Sequence, residues 1–309
     1  MKNKKRLIIV LLLLLLTTGC TKQLVDSNNK PVKNEKTGQT LTENIICKPT
    51  NEETYNIYKE NKVKVDKLPE CEEFKPTDGK YESLWNSFIV KPIAFFIIFL
   101  GKFVKNYGLS VIIISLLIRL IAYPVTRKTA MQSELMQKAQ PELNKIQKKY
   151  AGKQDEESMM KQNQEMLAVY KKYNINPIGG CLFSFLQLPI FIAFFEALQR
   201  TPVIFEDKFL GLQLGTTPAV GIGSSTFYIY AILVLLIGLT THFSFKMNSA
   251  SSAMTDDPTM KMMPTMMTIM IIVTSIFMPS GLGIYWVTSN LFTIVQNYLV
   301  KRSKANGKA

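Results

Sequence analysis

Apolar residues in this chain gather into long runs instead of recurring at the spacing of half-buried strands or surface helices. The run from Leu109 to Thr126 contains a single charged residue, Arg119. Further apolar stretches occupy 177–198, 226–243, 264–278 and 283–300, each near the roughly 20 residues that cross a bilayer as a helix. This pattern predicts an all-α polytopic membrane protein with five transmembrane helices. Between the first and second runs the pattern changes. Met131, Leu135, Met136, Ala139, Leu143 and Ile146 recur at helical spacing, as do Met159, Met160, Met166, Leu167 and Tyr170. Ala151-Gly152-Lys153 supplies a turn between them. A two-helix hairpin is expected over 127–175, with Pro141 kinking or restarting its first arm.

Charge gives these spans a direction. Of a formal net charge of +14, much lies just after residue 126 and in the basic tail 301–309, and cytoplasmic flanks are enriched in Lys and Arg. With the N-terminus outside, five spans put both basic segments in the cytoplasm. A sixth would invert them. Residues 84–104 carry Leu84, Trp85, Phe88, Ile89 and the apolar stretch Ile93 to Leu100. This segment is accordingly read as an interfacial amphipathic helix lying on the outer surface.

Ahead of it, Lys2, Lys4, Lys5 and Arg6 precede a short leucine-rich run and Thr17-Thr18-Gly19-Cys20. Residues 1–19 read as a lipoprotein signal peptide, with Cys20 as the lipidated residue that anchors the N-terminus to the membrane. Residues 20–80, rich in Lys, Glu, Asn and Thr, read as an extracellular, largely disordered tether. Cys47 and Cys71 flank a polar segment assigned to the outside, where a disulfide between them is allowed.

Arg119 is the chemical anomaly. A cation deep in hydrocarbon costs roughly 2.5–3.5 kcal/mol on insertion scales, so water, a partner or a function must receive it. At 1.5 Å per residue it lies roughly 10–12 Å from the basic end of its span, while Glu196 lies roughly 28 Å from the start of its own. The two differ in depth, so either the side chain snorkels to the inner interface or a water-filled cavity surrounds it, lined by Gln187 and by polar residues of the fifth span, where Thr288, Ser289 and Asn290 stand together. The methionines of 254–270 suit a surface that meets many apolar partners, and equally suit ordinary gap-filling.

Leu116-Leu117-Ile118-Arg119-Leu120, Asn176-Pro177-Ile178-Gly179-Gly180-Cys181, Gln187-Leu188-Pro189-Ile190 and Gly283-Ile284-Tyr285-Trp286-Val287-Thr288-Ser289-Asn290 together resemble the YidC/SpoIIIJ membrane protein insertase family, over residues 80–302 in order. The resemblance implies a hydrophilic groove open to the cytoplasm and the bilayer, in which Arg119 receives polar parts of nascent membrane proteins. It also implies that Trp286 and Ser289 lie on the client-contacting face. Implied partners are the ribosome, a Sec translocon and membrane lipids. The implied location is the bacterial plasma membrane, with the C-terminus cytoplasmic. No Gly-Lys phosphate loop occurs, so no cofactor and no enzyme activity are expected. An intramembrane hydrolase would need Ser224 and His242 together, although the runs place them at opposite faces. The lack of an evident inverted repeat argues against a secondary transporter, and a small transporter or conducting channel stays open as the alternative.

Overall fold

The computed structural model describes residues 21–153, 155–221, 223–248 and 258–305, with the backbone alone for 177–187, 248, 258–261, 263, 304 and 305. The predicted signal peptide and Cys20 lie outside the described residues. The chain is mostly helical: α1 Glu52–Glu60, α2 Lys91–Val104, α3 Tyr107–Tyr150, α4 Glu156–Lys172, α5 Pro177–Gln199, α6 Pro202–Glu206, α7 Pro218–Gly221, α8 Phe227–Asn248, α9 Pro258–Ile276 and α10 Ser280–Ala305. A minimal antiparallel ribbon pairs β1 (Lys208–Phe209) with β2 (Leu212–Gln213). These elements form two compact units. One holds the chain up to Ser115 with Leu188–Val234 and Thr274–Trp286, and the other holds Leu116–Gln187, Leu235–Val273 and the chain from Val287 onward.

Three described helices are long and apolar enough to cross a membrane: Asn86–Val104, α3, and Phe227–Met247 of α8. Leu188–Gln199 and Pro264–Ile276 are shorter apolar helices. The first of the three is the segment laid on the surface by charge parity. Length and apolarity alone do not separate a crossing helix from one lying in the interface. Its start is a π-helical turn, Asn86–Val90, that runs directly into α2. Ala94, Ile97 and Ile98 are buried, while Phe88, Phe96, Phe99 and Phe103 are exposed.

In the first unit, the segment expected to be a disordered tether is folded. Leu24, Leu41, Ile45, Tyr58 and Val65 close a small core. They are brought together by isolated bridges such as Gln23 with Thr42 and Lys33 with Thr40, and by α1, which Asn51 caps by accepting from the Thr54 backbone N–H. The apolar residues follow neither period 2 nor period 3.6, because irregular turns carry them inward. That is why sequence periodicity missed the core. Cys47 and Cys71, both fully buried, are joined by a disulfide with Cα atoms 4.8 Å apart and a sequence separation of 24. Cross-linking a loop of that length stabilises by about 3 kcal/mol in the chain-entropy picture, a large share for so small a core. Replacing both cysteines by serine is expected to lower the stability of this module by about that amount, and limited proteolysis within 40–75 measures it.

The second unit holds α3 from Leu116 onward; the whole helix has 44 residues, about 66 Å at 1.5 Å per residue. It runs through both Pro124 and Pro141. Pro141 therefore does not restart the helix: span and first arm are continuous. Met136, Ala139 and Leu143 of α3 pack on Val169, Tyr170 and Ile175. The turn between α3 and α4 places Gly152 at φ +80°, where a Cβ is strongly disfavoured. Asp155 caps α4 through the Ser158 N–H. Two ion pairs flank the packed seam, Lys149 with Glu165 at 2.6 Å and Lys172 with Glu142 at 2.7 Å. Tyr150 and Tyr173 donate to the same carboxylates. The Lys172 and Tyr173 hydrogen bonds hold the Glu142 carboxyl below the usual carboxylate range, and Glu142 in turn raises Lys172. The pair is therefore fully charged through the neutral range, and loosens only as pH falls through the depressed Glu142 value or rises through the raised Lys172 value.

Candidate functional site

The second unit buries an uncommon number of polar side chains on two helices. On α3, Arg119, Thr126 and Ser133 stand seven residues apart and are 4%, 3% and 7% exposed. On α10, Ser289, Thr293 and Gln296 form the matching i, i+4, i+7 stripe, at 3%, 3% and 5% exposed. Spacing of this kind keeps one face of each helix turned to the same neighbour. The stripes meet: the Arg119 Nε–H donates to Ser289 Oγ at 2.8 Å, and a second guanidinium N–H, from Nη2, reaches the same oxygen. Seven residues further along both helices, the Thr126 hydroxyl donates to Gln296 Oε1 at 3.0 Å. The Thr293 hydroxyl donates back to the Ser289 carbonyl, and Thr129 does the same to Thr126.

Ser289 is a neutral acceptor, so this contact fixes the direction of the guanidinium without discharging it. An Arg side chain is always protonated, and its planar fork suits carboxylates and backbone carbonyls. The arrangement is thus a buried positive charge held at the head of a polar column. It can attract and orient an acidic or carbonyl-rich guest; a nucleophile paired with a base is not part of it.

The other predicted residues fall as follows. Asn290, next to Ser289 but turned by about 100° around the helix, donates to Thr241 Oγ1 at 3.0 Å. Arg119, Ser289 and Asn290 therefore share one unit but use two faces of α10. Trp286 belongs to the first unit, where its ring meets Phe191 edge-on at 5.1 Å between centroids. Tyr285 stacks on Phe194 at 4.2 Å beside it. The Gln187 side chain lies outside the described residues, as does Met254. Met262, Met266 and Met270 are more than half exposed.

Two contacts in the first unit were not anticipated. The Glu196 carboxylate, 3% exposed, accepts from Trp85 Nε1–H at 3.1 Å. One turn on, Arg200, 1% exposed, donates from Nε to the Asn44 carbonyl at 2.7 Å and from Nη2 to Glu82 at 2.6 Å. The Ile46 N–H donates to the Arg200 carbonyl. Thr126 and Gln296 were likewise missed. Their heptad offsets from Arg119 and Ser289 were the available signal.

Comparison with known proteins adds to this geometry. The family model described as 60Kd inner membrane protein matches residues 99–307. The chain is 36% identical over 236 residues to the membrane protein insertase MisCA of Bacillus subtilis, covering 76% of this chain and 86% of that protein. It is 36% identical over 242 residues to the membrane protein insertase YidC of Oceanobacillus iheyensis, covering 76% of this chain and 91% of that one. A membrane protein insertase YidC 1 of Halalkalibacterium halodurans is similar at 33% over 235 residues.

Proposed function

The chain belongs to the 60Kd inner membrane protein family, and from that membership we propose that it inserts nascent proteins into the bacterial plasma membrane without any bond chemistry of its own. Its relatives are named membrane protein insertases, and it is itself a membrane-integral protein rich in apolar helices. The observation that carries the reading is the buried Arg119 held by Ser289 at the head of the polar column. In this scheme five spans cross the bilayer, and the helical hairpin of α3 and α4 and the C-terminus face the cytoplasm. The segment 84–104 lies at the outer interface, and a lipidated Cys20 anchors the N-terminus outside. A client's polar segment enters a hydrophilic groove from the cytoplasm and meets Arg119, with Gln187, Ser289 and Asn290 along the path. Trp286 contacts its apolar part. The basic hairpin receives ribosome-bound chains, and a Sec translocon acts beside it for larger clients.

The energetics need no nucleotide. A transmembrane segment of about 20 Leu-like residues gains roughly 6–12 kcal/mol on entering lipid, at about 0.3–0.6 kcal/mol per residue. One charge carried to the bilayer centre costs roughly 2.5–3.5 kcal/mol. The client's own helix therefore outweighs a short polar tail, and the groove only has to lower the barrier.

The test is reconstitution into sealed vesicles with ribosomes translating a single-span client. Protease-protected client tails are the expected result. Solute leakage without tail protection would replace insertion by a transport role.

A further inference from the structure

In the first unit, a cavity of about 260 Å³ lies where the N-terminal module meets residues 199–216. It is separate from the Arg119 column and from every residue assigned to clients. Lys36 and Glu53 line it, pair with each other at 2.6 Å, and have side chains 76% and 39% exposed. The cavity therefore opens to solvent past that pair.

Its interior is polar in a particular way. Gln39 and Thr216 line it and are each only 8% exposed, yet within the described structure neither the Gln39 carboxamide nor the Thr216 hydroxyl makes a hydrogen bond. Buried polar side chains nearly always have a partner. Gln213, on the same wall, shows the usual behaviour: its Nε2 donates to the Phe205 and Glu206 carbonyls. Gln39 and Thr216 instead present a free amide and a free hydroxyl to the cavity. Leu41, Tyr58 and Phe205, all 3% exposed or less, supply apolar wall beside them.

The charges restrict the guest. Lys36 and Glu53 cancel, and Glu206 remains, with Oε2 accepting from the Thr50 N–H and hydroxyl. A cavity edged by one uncompensated carboxylate repels phosphates and carboxylates. Donors and acceptors side by side against apolar wall fit a ring with hydroxyls on its edge and C–H groups on its faces. We propose that this cavity binds one uncharged saccharide unit, with Gln39 and Thr216 hydrogen-bonding its hydroxyl or acetamido groups. The competing occupant is water, of which the volume would take about eight molecules at roughly 30 Å³ each.

The test uses the full-length protein in a sugar-free zwitterionic detergent and saturation-transfer NMR with glucose and N-acetylglucosamine, with glucuronate as anionic control. Expected is transfer to at least one neutral sugar and none to glucuronate. Binding should weaken at least tenfold in Gln39→Leu and in the near-isosteric Thr216→Val, with thermal midpoints and the disulfide unchanged. The proposal is overturned by absence of transfer to both neutral sugars, by equal transfer to glucuronate, or by binding that survives both substitutions. The readout does not involve client insertion, so its failure leaves the insertase reading untouched.

Discussion

Arg119→Ala is expected to reduce insertion of clients with acidic external tails more than tenfold, while clients with short neutral tails lose much less. A unit charge about 4 Å from a carboxylate contributes roughly 4 kcal/mol at an effective dielectric near 20, and alanine forfeits it. Arg119→Lys keeps the charge but lacks the fork that places two N–H groups on Ser289, so an intermediate yield is expected. Ser289→Ala keeps the charge and loses its orientation, and should also fall between. Protease protection of tails differing only in acidic residues measures all three. Equal insertion of acidic and neutral tails by the alanine variant and the parent would remove Arg119 from the mechanism.

Arg200→Met is expected to have the largest effect on stability outside the client path. Arg200 is 1% exposed and holds both the Asn44 carbonyl and Glu82, so its loss strands two acceptors. Breaking a fully buried pair costs roughly 3–5 kcal/mol. Two features reduce that here. The Glu82 side chain is 36% exposed, so its charge is screened by water. Arg200 Nη1 is buried without a partner, and methionine removes that unsatisfied group, worth about 1–3 kcal/mol. A net loss of about 2 kcal/mol follows. Hydrogen exchange at residues 41–58 should quicken, while the pairing of α3 with α4 in the other unit stays protected. Unchanged exchange in the N-terminal module would show that Arg200 does not hold it.

What the sequence revealed and what it hid divide along a physical line. Runs of apolar residues made the membrane helices legible because hydrocarbon imposes a length and tolerates no mixed face. Arg119 stood out for the same reason, as an expensive exception. Its partner did not, because Ser289 lies 170 residues away, and Thr288, Ser289 and Asn290 were equally polar candidates. Pro141 does not interrupt its helix. A proline breaks a helix through one missing N–H and one clash, and packing of Ala139 and Leu143 on α4 outweighs that local cost. The N-terminal module was the largest misreading. Its composition matches disorder, but a buried disulfide and a small core of its own order it, joined by contacts from Arg200, Thr217 and Glu206 elsewhere in the chain.

That last dependence bears on the order of biogenesis. The Asn44 carbonyl and Arg200 are 156 residues apart, which at roughly 5–20 residues per second is about ten to thirty seconds of translation. Until then residues 21–80 lack their dock, and closing so long a loop costs entropy before any contact rewards it. The module should therefore be protease-sensitive on truncated chains that end before Arg200, and become resistant once Arg200 has left the ribosome. Oxidation of Cys47 with Cys71 needs nothing from that later chain, making the disulfide a provisional fastener for a structure completed late.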